Sequence, residues 1–212
     1  MIRSQHIAIV GGSGSGKTWL AETLCSELGP LAARLSLDDF YGNLSHLERS
    51  ARDPVNFDDP AAIDWESVRS VSAALARGEM AQVPIYDFTT HTRQRETRTF
   101  APRAFVVWDG LWLLHDGAMR DQYSMRVFME CNAAERLSRR VARDVRERGR
   151  TEASVRRQFV NHVQPMHEQF VEPQRAFADQ ILSSPVTMAQ VAELKEGLMG
   201  LIRREDAPHA MP

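Results

Sequence analysis

Eight residues constrain this chain more than any other stretch: GGSGSGKT, comprising Gly11, Gly12, Ser13, Gly14, Ser15, Gly16, Lys17 and Thr18. They satisfy the spacing G-x-x-x-x-G-K-[S/T], follow the apolar run HIAIV at 6–10 and open a stretch with helical patterning. Glycines let a backbone wrap an anion with its N–H groups pointing inward, and the helix start adds partial positive charge. In such a loop Lys17 reaches the β- and γ-phosphates of a bound nucleotide, and Thr18 ligates magnesium. The competing reading, a flexible Gly/Ser turn with a surface lysine, leaves the flanking strand and helix signals unexplained.

The rest of the chain alternates in the same way. Short apolar runs at 33–37, 105–109, 126–130 and, more weakly, 179–183 read as strands covered on both faces. Helical patterning fits 17–28, 60–77, 132–148, 151–171 and 187–203, with Gly78 and Gly149 ending the second and third. Asn132 with Glu135, and Thr187 with Gln190, have the spacing of capping boxes. This alternation predicts an α/β fold: a mostly parallel sheet flanked by helices, in one domain over 1–212. Two stretches fall outside it, about 40–59 and about 84–103, and read as irregular insertions of the lid or binding-loop kind.

Composition narrows the function classes. With 212 residues and 43% hydrophobic content the chain can bury one good core. A formal charge of −2 argues against general nucleic-acid coating, so any positive site is local. No apolar run approaches the ~20 residues of a membrane span, and the start runs into a glycine loop rather than a cleavage site. Cys25 and Cys131 do not suggest a disulfide framework, and a reducing cytoplasm fits.

A metal–nucleotide site needs further oxygen ligands at neighbouring strand ends. VVWDG delivers Asp109 to a sheet edge, the position of the acidic partner of a phosphate loop. SLDDFY places Asp38 and Asp39 after the second strand; Asp38, nearer the strand end, is the better general base, and Asp39 suits a cap or turn. On the helix from Asn132, the repeat Leu137, Val141 and Val145 predicts a narrow buried stripe. Arg136, Arg139, Arg140, Arg143 and Arg146 then take the opposite face, and Arg148 and Arg150 continue it across Gly149. A solvated basic face is the plain reading; beside a phosphate loop, guanidinium groups also suit bidentate binding of a transferring phosphoryl group. We read 136–158 as an arginine-rich lid over the triphosphate.

The ordered motifs GGSGSGKT, SLDDFY, NFDDPAAID, PIYDFTTHTR, WDG, RLSRRVARDVRERGRT and VQPMHEQFVEPQRAFAD resemble the uridine-cytidine kinase family of P-loop kinases, over roughly residues 6 to 180. The phosphate loop alone is widely shared, whereas the middle motifs in this order are far narrower. The resemblance implies that the YDFTTH segment forms part of a pyrimidine pocket, with Tyr86 and His91 at the base edge and Phe57 and Phe88 as apolar walls. It implies that Asp58 and Arg140 hold the ribose hydroxyls, with Arg150 near the sugar and Asp38, that Arg143 and Arg148 meet phosphate, and that Gln158 reaches the base. Relatives commonly carry Glu where Asp109 stands, which points to a water-bridged contact with magnesium, and QILSSPVTMAQ is more polar than their equivalent segment.

The implied reaction is transfer of the γ-phosphoryl group of ATP or GTP, with Mg2+, to the 5′-hydroxyl of uridine or cytidine, the chemistry of pyrimidine salvage. A P-loop kinase of another hydroxylated metabolite, such as nicotinamide riboside, and an NTP-binding regulator that transfers nothing are the alternatives. The family also forms oligomers, often tetramers, which leaves a homo-oligomer open. No nucleic acid or membrane partner is expected.

Overall fold

The computed structural model describes residues 3–52 and 55–205. Five strands form one parallel sheet: β1 (Gln5–Gly11), β2 (Ala32–Ser36), β5 (Phe105–Gly110), β6 (Tyr123–Glu130) and β7 (Gln180–Ser183), in the order β2-β5-β1-β6-β7. The principal helices are α1 (Lys17–Leu28), α2 (Trp65–Ala76), α3 (Ala133–Arg148), α4 (Glu152–Gln158) and α5 (Met188–Glu205). Past α4 the chain stays helical through Phe177, in short π, α and 3-10 segments, so the helix expected at 151–171 continues further than its pattern suggested. Among the described residues no helix is long and apolar enough to cross a membrane.

The apolar strands are buried on both faces because helices cover both. Ala8, Val10, Val106 and Trp108 point into one core with α2, while Ile7, Ile9, Phe105 and Val107 point into another with α1 and α5. Alternate residues serve opposite layers, which is why these strands read as continuous apolar runs. At the floor of the first core, buried His6 accepts at Nδ1 from Trp108 Nε1 at 3.0 Å and lies 3.2 Å from Ser72 Oγ. Burial there pushes the His6 imidazole down to about 4.

The caps are those the sequence announced. Asn132 Oδ1 accepts from Glu135 N at 2.9 Å, and Gly149 ends α3 at φ 61°. Thr187 and Gln190 exchange both bonds of a capping box.

Two expectations are corrected. The stretch 84–103 is not irregular: β3 (Ala81–Asp87) and β4 (Thr92–Phe100) pair antiparallel as a separate two-stranded ribbon. Most of β4 is exposed, so TRQRETRTF has no apolar alternation to give it away. In the insertion at 40–59, a short helix at Arg49–Arg52 appears, and positions 53–54 lie outside the described residues. The second correction concerns α3, whose buried residues are Arg136, Arg140 and Asp144. Leu137 and Val141 are only half-buried and Val145 is 44% exposed. Charge, paired with charge and with the phosphate loop, has displaced the apolar stripe from the inside of this helix.

Candidate active site

The phosphate loop, Asp38 and Asp109 lie at the C-terminal edge of the parallel sheet, where β1, β2 and β5 end. The phosphate loop leaves β1 and enters α1 at Lys17, with Gly16 at φ 96° as its cap. Gly14 has φ +83°, and a Cβ there would lie 2.5 Å from the Arg136 carbonyl oxygen. A Cβ on Gly12 would meet Arg136 Nη1 at 2.7 Å and His167 Nδ1 at 2.8 Å. The loop is thus packed against the base of α3 and the helical run after α4, and any side chain would push them apart. Arg139 adds a tie from outside, donating to Ser184 Oγ at 2.7 Å beside the carbonyls of Gly14 and Ser15.

Burial lowers the affinity of Lys17 for its proton, and Arg143 and Arg140 act in the same direction; Asp38 and Asp109 oppose them. The ammonium therefore sits where charges of both signs converge. Asp109, 2% exposed, accepts from Thr18 Oγ1 at 2.7 Å. Its two oxygens also take Arg34 Nε at 2.8 Å and Nη2 at 3.2 Å. Arg34 drew no attention in the sequence, since a lone Arg inside an otherwise small and apolar strand has no motif to flag it.

The pair of Thr18 hydroxyl and Asp109 carboxylate is a hard oxygen donor set and fits magnesium, which takes one or two protein oxygens and completes its shell with water and phosphate. With Arg34 on both carboxylate oxygens, Thr18 is the more available direct ligand and Asp109 the group behind it.

On the acceptor side, Asp38 lies in a 3-10 turn at Leu37–Phe40, its N–H bonded to Ser36 Oγ at 3.3 Å. Burial raises its carboxyl above the usual range; Lys17, Arg148 and Arg143 counteract this and Asp109 adds to it. Asp39 faces away, paired with Arg98 of β4 at 3.3 Å, so of the two carboxylates Asp38 is the one that senses Lys17. Asp58 is 9% exposed, and burial raises its carboxyl too, against Arg140, His162 and Arg150.

Behind these acids stands an aromatic cluster centred on Tyr41. Its ring meets Phe57 edge-on at 5.7 Å, Tyr86 at 5.2 Å, Phe88 at 6.3 Å and Trp112 at 6.4 Å. The hydroxyl of Tyr41 donates to the Phe57 carbonyl at 2.9 Å. At the tip of the hairpin His91, at φ 55°, stacks on Phe57 with 4.4 Å between centroids. Tyr41 and Trp112 were missed as site residues, although Tyr41 ends the quoted SLDDFY motif.

The segment 136–158, expected as a lid, stands on the other side. Arg140 donates to Ser13 Oγ at 2.8 Å and to Gln158 Oε1 at 3.1 Å, and Arg150 donates to the same Gln158 oxygen. Arg148 lies 5.1 Å over the Phe88 ring. Gln158, expected at a base, has its oxygen engaged by two lid arginines. A polar cavity of about 360 Å³ opens beside them, lined by Phe57, Arg150, Gln158, Asn56, Asn161 and His162, a volume within the range of small-ligand pockets.

The profile of the Phosphoribulokinase / Uridine kinase family matches residues 6–191. A protein named uridine kinase from Deinococcus deserti is 40% identical over 182 residues, covering 85% of this chain and 88% of its own. Another of that name, from Halobacterium salinarum, is 36% identical over 195 residues, covering 92% and 87%. Among solved structures, phosphoribulokinase from Rhodobacter spheroides superposes with a TM-score of 0.62 at 14% identity, over 86% of this chain and 71% of that one, a likeness of fold.

Proposed function

The chain belongs to the phosphoribulokinase/uridine kinase family, and on that premise we propose that it is a nucleoside kinase acting on uridine and cytidine, giving UMP and CMP from ATP or GTP. The observation that carries this reading is that the arginines of α3 reach both the phosphate loop, where Arg140 donates to Ser13 at 2.8 Å, and the aromatic cluster of Tyr41, Phe57, Tyr86 and Phe88, where Arg148 lies 5.1 Å over the Phe88 ring. A donor phosphate, an acceptor hydroxyl and a flat base are three demands, and these groups meet all of them within one volume.

Asp38 orients the 5′-hydroxyl and accepts its proton; a carboxyl raised by burial is a stronger base than an exposed one. Lys17 and the lid guanidiniums of Arg143 and Arg148 neutralise the oxygens of the phosphoryl group in flight, so positioning and electrostatics supply most of the acceleration. Thr18, with Asp109 behind it, would hold magnesium, which would supply positive charge against that of the donor phosphates. Asp58 and Arg140 suit the ribose hydroxyls, Asp58 as acceptor and Arg140 as donor. The stack of His91 on Phe57 supports a role for the imidazole at the base edge, since neutral imidazole offers one donor and one acceptor nitrogen, matching both O4 of uracil and N4 of cytosine. Arg150 and Gln158 complete the acceptor wall. The reading extends to a cytoplasmic enzyme and a homo-oligomer, as in its family.

The deciding measurement is ADP or GDP release with a panel of uridine, cytidine, purine nucleosides and nicotinamide riboside. Turnover with both pyrimidines is expected. Turnover confined to nicotinamide riboside would move the acceptor, and none with any acceptor would make the chain a nucleotide-binding regulator.

A further inference from the structure

Asp144 has no part in the phosphate loop, in the acceptor pocket or in metal binding, yet its carboxylate is the most heavily charged spot in the lid. It is fully buried, and four guanidinium groups surround it. Arg143 approaches Oδ1 with Nε and Nη2, each at 2.8 Å. Arg140 Nε is 3.5 Å from Oδ2, Arg148 Nε 3.8 Å from Oδ1, and Arg150 Nη1 3.9 Å from Oδ2. One negative charge among four positive ones leaves a net positive cluster, so the carboxylate orders the arginines without cancelling them.

Those arginines face the reacting centre. The charge of Arg143 is felt by both Lys17 and Asp38, that of Arg148 by Asp38, and Arg140 is bonded to Ser13 of the phosphate loop. An arginine side chain free to sample its rotamers must be immobilised when it grips a phosphoryl group; one already held by a carboxylate has little order left to lose.

We propose that Asp144 is a positioning residue that holds Arg143 and Arg148 in the arrangement needed at the transition state before either substrate arrives. The proposal rests on the kinase reading above. It gives the inverted face of α3 a purpose: Asp144 is buried so that its arginines can be aimed.

The test compares Asp144→Asn, Asp144→Glu, Arg143→Ala and the Asp144→Asn/Arg143→Ala double variant with wild type, in the full-length protein. Asp144→Asn should lower kcat roughly 10- to 100-fold while KM for ATP and for uridine stays within about threefold, because ordering acts on the transition state more than on either ground state. Asp144→Glu should lie between, its charge kept and its reach displaced by a methylene. In the double variant the two losses should not multiply, since Asp144 acts through Arg143. Wild-type kcat in Asp144→Asn, or in Asp144→Glu where the Asn variant does not fold, overturns the proposal; so do losses that multiply in full, or a kcat that falls only as the folded fraction falls. Exchange of the arginine Nε–H groups by NMR gives an answer that needs no turnover: slow exchange at Arg143 in wild type, made fast in Asp144→Asn, is expected, and equal exchange in the two overturns it. An enzyme inactive on every nucleoside would fail the kinase reading while this NMR comparison still decides the role of Asp144.

Discussion

Asp38 is one methylene longer than a backbone stub and short enough to have no choice of partner: it stands in a tight 3-10 turn, under the influence of Lys17, Arg143 and Arg148. Replacing it with Asn keeps the shape and removes the proton acceptor. Asp38→Asn is expected to lower kcat by at least about 100-fold, in line with the contribution of a general base, with ATP affinity nearly intact by calorimetry. The pH dependence follows from the direction of its shift. The carboxyl is raised by burial, so it takes up its proton at a higher pH than an exposed aspartate, and activity that needs the ionised form disappears as pH falls through that raised value. The acid limb of kcat/KM should therefore lie above the ordinary aspartate range near ~3.9. A limb at or below that range would assign the base role to another group.

At the scale of elements the β3–β4 ribbon decides how the acceptor is met. It makes no sheet contact with the five-stranded core, and Arg93 is the rivet that fixes it: Nε donates to the Tyr41 carbonyl at 2.8 Å, Nη2 to the Phe40 carbonyl at 3.1 Å and Nη1 to Asp64 at 2.9 Å. Arg93 is also the cross-strand partner of Tyr86. Arg93→Ala should release the ribbon, raising KM for uridine about tenfold or more while KM for ATP and the unfolding midpoint change little; equal changes for both substrates would mean that the ribbon is not a separate acceptor element. This ribbon also marks the limit of what the sequence revealed. The middles of β1, β5 and β6, at 7–10, 105–108 and 127–129, are apolar runs, so burial on both faces wrote them plainly. The phosphate loop and Asp109 could be located because they come at the ends of such strands, and Asp38 because it follows the shorter run of β2. The ribbon could not, because its pairing is internal and its second strand polar on both sides. The interior of α3 was misread for a related reason: hydrophobic periodicity detects burial only when burial is apolar, whereas Arg140 and Asp144 are buried as a charge pair and Arg136 against the Cys131 carbonyl and Gln164. Arg34 left no trace, since its meaning comes from Asp109, 75 residues away.

For the whole molecule, buried histidines link stability to pH. His6 and His167 are both held near 4, His6 by burial alone and His167 by burial with Arg136, while in the unfolded chain both titrate near 6.5. The contribution is complete above ~6.5 and is lost as pH falls towards ~4, since the unfolded chain then binds protons that the folded chain refuses. Between pH 7 and 5 this amounts to roughly 2 kcal/mol for His6. Asp38, Asp39 and Asp58, raised in the folded state, pull the other way in acid, so the measurement is a difference: His6→Gln should show a shallower loss of urea stability from pH 7 to 5 than wild type. Parallel lines for the two proteins would remove His6 from the account. The sheet that places His6 in one core and Ile7 in the other has a wider consequence. The ribbon, α2 and the Tyr41 cluster share one side of it, whereas α1 and α5 share the other, and among the described residues no buried apolar side chain belongs to both sets. A substitution packed on the first side can therefore reshape the aromatic cluster while the packing of α1 and α5 on the opposite face stays as it is.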